Sequence, residues 1–466
     1  MIIRKGDIIE LWVEKMAYGG EGLARLDGFV IFIKGAIPGD RVIAKIIKKR
    51  RDYANALLIE IIDPSIDRIK PPCSYSDYCG GCQIQHLKYE KQLKYKRTYI
   101  QDSLMHIGSL RKIPVHEVIP SDNLFGYRNK MEFSFSDRRW LLPEEYSTDK
   151  ETVNHFGLGL HMPGTFYKVL DIDACLLQHE TGNLILSEVK NFVKQYDIPA
   201  YSLKEHTGFW RFLVMRYSAN SNEWMVNLVT SEEKSEVTSA LAKALCERFS
   251  DIRTVVNNIS KKKAAVALGE KEIILTGKGY IHDTIGPFQF RISSNSFFQT
   301  NSSGAKKLYD KVVEYAELTG SEVVLDLYCG TGTIPVFLSV GAKEVIGMEI
   351  SESAVIDANA NCDLNHVNNC RFILGDIRKR LPDLRQMPDV LIVDPPRNGI
   401  HKDILSQVMN MAVKKIVYVS CNPATMARDM VSLSKKYDIM EVQPVDMFPH
   451  TYHIEAVAKL LLRKDV

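Results

Sequence analysis

The chain has 466 residues, more than one ordinary domain holds, so two to four domains are expected. A hydrophobic fraction of 45% with 25% charged residues is that of a folded globular protein, and no apolar run is long enough to span a bilayer. The net charge of +3, from 60 Lys+Arg against 57 Asp+Glu, does not by itself announce a polyanionic partner, so a nucleic-acid surface would have to come from local clustering.

The start, Met1-Ile2-Ile3-Arg4-Lys5-Gly6-Asp7, lacks the apolar core of a secretory signal, so a cytoplasmic protein without membrane attachment is expected. Nine cysteines in a reducing compartment point to metal ligation, catalysis or burial before a disulfide framework. Within residues 1–63, alternating runs over 7–13, 29–33, 41–47 and 56–62 are separated by Gly19-Gly20-Glu21-Gly22 and Pro38-Gly39-Asp40. Short strands with glycine turns in so small a space predict a compact OB-like β-barrel. Lys45, Lys48, Lys49, Arg50 and Arg51 cluster at the end of one run, either as a solvated face or as a contact for single-stranded RNA. The arrangement from Gly19 through Ala24-Arg25 to Gly35-Ala36-Ile37-Pro38-Gly39-Asp40 resembles the TRAM domain, an RNA-binding module of RNA-modifying enzymes, and that resemblance favours RNA.

Pro71-Pro72 marks a linker into a central region, 64–290. Cys73, Cys79 and Cys82 follow at once, with Gly80-Gly81 able to turn backbone amides towards the sulfurs. Three soft thiols this close suit zinc or an iron–sulfur cluster. Cys175 is the candidate fourth ligand, because the remaining cysteines lie in helical or catalytic-domain contexts, and a closed four-thiolate site would be structural or redox-sensing. From 89 to 107 the pattern is helical, with Leu93, Ile100, Leu104 and Ile107 on the packing face and Lys91, Lys94, Lys96 and Arg97 on the others. Residues 126–290 read as alternating strands with one helix near 236–249, opened by Arg128-Asn129-Lys130, which can hold phosphates or face water.

In the last region, 291–466, the order becomes strand then helix. Apolar runs at 323–327, 344–350, 372–374, 390–393 and 416–419 predict an α/β doubly wound parallel sheet, with its ligand at the strands' carboxyl ends. The first run ends in Asp326-Leu327-Tyr328-Cys329-Gly330-Thr331-Gly332, where glycines let a cofactor approach the backbone. Glu349 ends the next run, where a carboxylate can accept both ribose hydroxyls, and Gly375-Asp376 follows the third. Pro335 stands where a dinucleotide fingerprint needs its third glycine, so S-adenosylmethionine fits better than a nicotinamide cofactor. The fourth run ends in Asp394-Pro395-Pro396-Arg397, its prolines fixing the backbone at the cleft. Upstream, Ser296-Phe297-Phe298-Gln299-Thr300-Asn301 offers an amide and aromatic faces ahead of a helix over 304–318. The fifth run stops at Ser420-Cys421-Asn422-Pro423, which holds a thiol at the lip of the cleft, either as a small apolar residue or as a nucleophile. His453-Ile454-Glu455 enters the final apolar run, and a carboxylate there is costly unless it is used.

Together these pieces resemble the RNA uracil-5-methyltransferase family nearly end to end. The resemblance is most specific in the TRAM-like start, the Cys73/Cys79/Cys82 spacing with Cys175, Asp394-Pro395-Pro396-Arg397, and Ser420-Cys421-Asn422-Pro423 with His453-Ile454-Glu455. It implies a [4Fe-4S] cluster on the four cysteines, ahead of zinc. Gln299, Tyr328, Glu349, Asp376 and Asp394 would line the S-adenosylmethionine site, with Cys421 as nucleophile and Glu455 as base. Thr333 stands where some members have asparagine. Members with both cluster and TRAM domain resemble enzymes acting on 23S ribosomal RNA, whereas the tRNA branch generally lacks both. No obligate protein partner is implied. The chemistry accounts for these residues: carbon 5 of uracil is a poor nucleophile until a thiolate adds at carbon 6, and a positioned base must then remove the carbon-5 hydrogen. The target uridine must be single-stranded or flipped out. An RNA-binding assembly protein with a vestigial methyltransferase domain, an iron–sulfur electron carrier and a cytosine-5-methyltransferase are the rival readings.

Overall fold

Alternating apolar residues close the first five strands into a barrel. In this computed structural model, which describes residues 3–142, 145, 155–165, 167–196 and 198–464, β1 (Ile8–Met16), β2 (Gly22–Leu26), β3 (Phe29–Lys34), β4 (Arg41–Lys49) and β5 (Tyr53–Asp63) pair in the closed order β1-β2-β3-β5-β4. Every second side chain points inward, among them Val13, Ala24, Ile31, Val42 and Ala54. Four strands match the expected runs, and β2 is the additional one. The basic side chains at Lys45 and 48–51 are all exposed.

Helix α1 (Tyr89–His106) buries Gln92, Lys96, Tyr99, Ile100 and Leu104. Two expectations are corrected here: Ile107 is exposed just past the helix end, and Lys96, placed off the packing face, is fully buried. Tyr99 and Gln92 lie on the same side as Lys96, so the packed face is rotated from the one the aliphatic residues suggested.

The next sheet has eight strands in the order β13-β12-β11-β10-β6-β8-β9-β7. Their ranges are β6 (Lys130–Ser136), β7 (Arg139–Trp140), β8 (Gly157–His161), β9 (Val169–Asp171), β10 (Trp210–Ser218), β11 (Glu223–Thr230), β12 (Ile252–Ile259) and β13 (Lys271–Thr276). Helices α2 (Glu180–Tyr196) and α3 (Ser235–Arg248) share its apolar cluster. The expected helix is α3, and α2 was not foreseen. Part of the stretch read as strands over 126–290 lies outside the described residues. A hairpin, β14 (Tyr280–Ile285) and β15 (Phe288–Ser293), leads to α4 (Ser302–Ala316).

The last sheet comprises β16 (Val323–Leu327), β17 (Glu344–Glu349), β18 (Cys370–Leu374), β19 (Val390–Val393), β20 (Lys415–Ser420), β21 (Tyr437–Val445) and β22 (Glu455–Leu462), in the order β18-β17-β16-β19-β20-β22-β21. The first five strands are parallel, as expected, whereas β22 runs antiparallel to both β20 and β21. Two apolar clusters cover its faces. One includes α1, α8 (Lys402–Met411) and α9 (Pro423–Leu433), and the other includes α4, α5 (Thr333–Ser339) and α6 (Glu352–Leu364). A single turn, α7 (Ile377–Arg380), follows β18. The strand order reverses between β16 and β19, which opens a crevice at their carboxyl ends.

Candidate active site

Burial on both faces ends β20 abruptly. Ile416 to Val419 are wholly buried, and Asn422 then caps α9 by accepting the Ala424 N–H at 3.1 Å, with Pro423 at the first helical position. Cys421 therefore sits between strand and helix, partly exposed. The antiparallel register pairs Ser420 with Ala456, so the next residue on each chain, Cys421 and Glu455, meets the other at the same end of the sheet. The sequence could place each at a cleft; it could not show that they are neighbours.

Asp394 follows β19 and joins them. Burial raises its carboxyl to about 6. Glu455, only 6% exposed, is held well above the usual carboxylate range by burial and then by Asp394. The Cys421 thiol is pushed up to about 12 by burial, with Glu455 and Asp394 adding to the rise and Arg397 opposing it. Arg397 alone does not offset the burial, and a further positive charge beside Cys421 would favour its thiolate. The Arg397 loop is fastened to α9: its carbonyl accepts Asn422 Nδ2 at 3.1 Å, and Asp429 Oδ2 accepts the Ile400 N–H at 2.7 Å and the Tyr418 hydroxyl at 2.8 Å.

The cofactor candidates gather at the neighbouring strand ends. Tyr328 has φ 68° and Gly330 φ 53°, so the chain turns sharply after β16. Glu349 Oε2 accepts the Gly330 N–H at 3.1 Å, while Oε1 accepts those of Ile350 and Ser351 at 2.7 and 2.8 Å. Thr333 hydroxyl lies 3.1 Å from Tyr309 hydroxyl, and the Gln299 carbonyl accepts Asn129 Nδ2 at 2.9 Å. Asp376 is engaged by Arg378, whose side chain bonds both of its oxygens and lowers the carboxyl to about 2. Asp326, fully buried, has no hydrogen-bond partner on either oxygen, and burial, with Asp394 and Glu349, raises it well above the carboxylate range. Burial thus disfavours the charged forms of Asp326 and Asp394, and a cationic ligand beside them would favour their ionisation.

Cys73, Cys79, Cys82 and Cys175 line one cavity of about 220 Å³, together with Arg128, Lys130 and Thr300. Among the described residues, no group of three or more His, Cys, Asp or Glu side chains is arranged to hold a metal ion. Burial raises Cys79, pushes Cys82 up to about 12 and Cys175 up to about 11, and the neighbouring thiols add to each. Gly81 N–H bonds Cys79 Sγ at 3.3 Å, so the glycine pair does turn an amide towards sulfur. Arg128, Asn129 and Lys130 are all partly buried: Arg128 and Lys130 border this cavity, and Asn129 reaches across to Gln299 and Ser302.

Residues 446–454, which lead into Glu455, tie the two sites together. The His450 carbonyl accepts the N–H groups of Gln83 and Ile84, directly after Cys82, at 3.0 and 3.1 Å. Gln92 accepts the His450 N–H at 2.9 Å, and its amide lies 3.2 Å from His450 Nδ1. Lys96 Nζ bonds Asp446 Oδ1 at 2.6 Å and the Phe448 carbonyl at 2.9 Å, both charged side chains being 0% exposed. Sequence reasoning missed Gln92, Lys96, Asp446 and His450; the helical spacing of Gln92, Lys96 and Tyr99 was the available signal.

A profile of the tRNA (uracil-5-)-methyltransferase family matches residues 187–464, and a TRAM-domain profile matches residues 4–59. An uncharacterized RNA methyltransferase of Chlorobaculum tepidum is 40% identical over 465 residues, covering 98% of this chain and 96% of the relative. Another, from Halalkalibacterium halodurans, is 38% identical over 465 residues, covering 99% and 98%. Among solved structures, the Pyrococcus abyssi tRNA (uracil-54, C5)-methyltransferase in complex with S-adenosyl-L-homocysteine is similar with a TM-score of 0.76 at 30% identity, over 97% of this chain and 99% of that one.

Proposed function

The chain belongs to the tRNA (uracil-5-)-methyltransferase family, S-adenosylmethionine-dependent RNA methyltransferases, and carries a TRAM domain; on that premise we propose that it methylates carbon 5 of a specific uridine in 23S ribosomal RNA through covalent addition of Cys421 to carbon 6. The observation that carries this reading is the register of β20 and β22, which sets Cys421 beside Glu455 at the mouth of the crevice.

S-adenosylmethionine supplies an electrophilic methyl group on a sulfonium cation. Gln299, Tyr328, Glu349, Asp376 and Asp394 would hold it, among carboxyl groups whose ionised forms a neighbouring positive charge favours. Burial favours the protonated forms of Cys421 and Glu455, and both would ionise more readily with a sulfonium bound beside them. The Cys421 thiolate bonds to carbon 6, and the ring's double-bond electrons move towards carbon 5 and oxygen 4. Carbon 5 takes the methyl group, and the electrons of the broken bond stay with the departing sulfur. The Glu455 carboxylate then removes the carbon-5 hydrogen as a proton, the carbon 5–carbon 6 double bond re-forms, and Cys421 leaves as thiolate. Glu455 suits this step because a raised pKa makes its carboxylate a stronger proton acceptor near neutral pH.

The four cysteine thiols border one cavity, and soft thiolates gathered there suit a [4Fe-4S] cluster, the group the family resemblance implies, ahead of zinc. Bound there, a cluster would supply a staple between the 73–82 loop and Cys175 and a redox-active centre, with no open position for substrate. The resemblance to cluster-bearing family members that act on 23S ribosomal RNA favours ribosomal RNA, whereas the likeness to the Pyrococcus abyssi enzyme over 97% of this chain favours a second reading, the same chemistry on tRNA. Mapping 5-methyluridine in both RNAs with and without the gene decides between them. Cys421→Ala tests the mechanism: it should abolish methyl transfer while keeping S-adenosylmethionine affinity, and full activity would remove the proposal.

A further inference from the structure

The barrel's contribution to the reaction centre lies in the loop between β1 and β2. Residues 17–21 form a tight turn, with Gly20 N–H bonded to the Ala17 carbonyl at 3.1 Å and Ala17 N–H to the Glu21 carbonyl at 2.8 Å. Gly20 has φ +80°, and a Cβ there would lie 3.0 Å from Ile84, 3.3 Å from Gln83 and 3.8 Å from Tyr452. Barrel, cysteine loop and the segment leading into Glu455 thus meet closely at Gly20, where a methyl group would press on Ile84 and Gln83. A small apolar core of Met16, Ile37, Ile84, Leu87 and Tyr99, with Tyr452 against it, seals that junction.

Tyr18 stands at its edge. Its ring stands nearly perpendicular to that of Tyr452, centres 5.2 Å apart at 79°, and to that of Tyr99, 5.6 Å apart at 87°, so two aromatic neighbours hold it in place. It nevertheless remains 41% exposed. Tyr452 continues the row to His453, 4.3 Å between ring centres, two residues before Glu455. The Tyr18 hydroxyl is close enough to the reacting groups to feel them: burial raises it to about 12, Cys421 and Glu455 add to the rise, and Arg397 opposes it. The ring is therefore neutral near pH 7, held by two aromatic neighbours and partly exposed at the junction that leads to Glu455.

Extruding a uridine unstacks it from its neighbours, and an unstacked base gains about 1–3 kcal/mol from an aromatic face. We propose that Tyr18, supplied by the amino-terminal barrel, is a substrate-positioning residue on which the RNA base next to the reacting uridine stacks while that uridine occupies the Cys421 site. This rests on the reading of Cys421 as the residue that bonds the uridine. The barrel is then part of the reaction centre as well as a handle for RNA, and Tyr18 acts on RNA affinity without touching the methyl donor.

The test uses the full-length chain and transcripts of 23S ribosomal RNA, with Tyr18→Ala, Tyr18→Leu and Tyr18→Phe. Leucine keeps apolar packing against Tyr99 and Tyr452 but has no π face. Both Tyr18→Ala and Tyr18→Leu should raise KM for the transcript about ten-fold or more, leaving S-adenosylmethionine affinity unchanged, whereas Tyr18→Phe should behave as the unaltered enzyme. Ultraviolet crosslinking of the Cys421→Ala protein to the transcript, mapped by peptide mass spectrometry, should attach RNA at Tyr18. A Tyr18→Leu enzyme with unchanged KM, or crosslinks that avoid the 17–21 loop, would overturn the inference alone. Failure of the unaltered enzyme to form a covalent adduct at Cys421 with 5-fluorouridine transcripts would sink the underlying reading and this inference with it.

Discussion

Replacing Lys96 by methionine removes the positive member of a wholly buried pair at nearly constant volume, so its effect reports what that charge does for the segment carrying Glu455. Asp446 would lose the 2.6 Å bond from Lys96 and keep the Tyr89 hydroxyl at 3.0 Å and the Phe448 N–H at 3.1 Å, while the Phe448 carbonyl loses a donor. Breaking a buried pair from one side costs about 3–5 kcal/mol, and the two surviving bonds put this case near about 3 kcal/mol. The cost falls on residues 446–454, because Lys96 reaches them from α1. Local opening should therefore become about 100-fold easier, read as loss of hydrogen-exchange protection at 446–455, with slower methyl transfer and unchanged S-adenosylmethionine binding. The double variant Lys96→Met/Asp446→Asn should recover most of the protection, since no uncompensated charge remains. Unchanged exchange in Lys96→Met, or a double variant worse than the single, would refute the reasoning.

Cys421, held near 12 by burial and two carboxyls, should react with iodoacetamide at pH 8 about ten-fold faster with S-adenosylmethionine bound than with S-adenosylhomocysteine, because only the former brings a positive charge; equal rates, measured on the Cys421 peptide, would contradict this. Asp394 is raised to about 6 from an ordinary 3.8, so its protonated form is the one folding favours: that stability is complete below 3.8 and lost as pH rises through 6. Asp394→Asn should accordingly stabilise the protein at pH 7 by at most about 3 kcal/mol, less what solvent at the cleft mouth screens, with the gain roughly halved at pH 5 and methyl transfer impaired. Melting midpoints across that pH range check it, and a gain that grows on acidification would oppose it. Glu455→Gln should leave methylated RNA bonded to Cys421, seen as a labelled protein–RNA adduct on denaturing gels, whereas normal release would show that another group removes the proton.

The parallel strands and glycine turn were legible because buried β-branched runs and Gly/Pro breaks are local signals, and β16 and β19 fall at the bounds those signals indicate. The antiparallel placement of β22 was not legible, since register between distant segments leaves no local trace, and it is this register that joins Cys421 to Glu455. Lys96 was misread for a related reason: a lysine on a helix is ordinarily solvated, and only the distant Asp446 makes its burial tolerable. Helix α2 was missed in a stretch read as strands, though Ile185, Leu186, Val189, Phe192 and Val193 recur on one face. Tyr18 sits in a glycine turn that signalled only a bend; its place beside Tyr452 depends on how the barrel docks.

In the proposed reaction a base beside Cys421 takes a proton from carbon 5 after methylation. Transcripts carrying tritium at carbon 5 of uridine test it most directly. One tritium should be released for each methyl group transferred, and Glu455→Gln should transfer a methyl group without releasing tritium. Methyl transfer by the unaltered enzyme with the tritium retained would place the methyl group elsewhere and contradict the account.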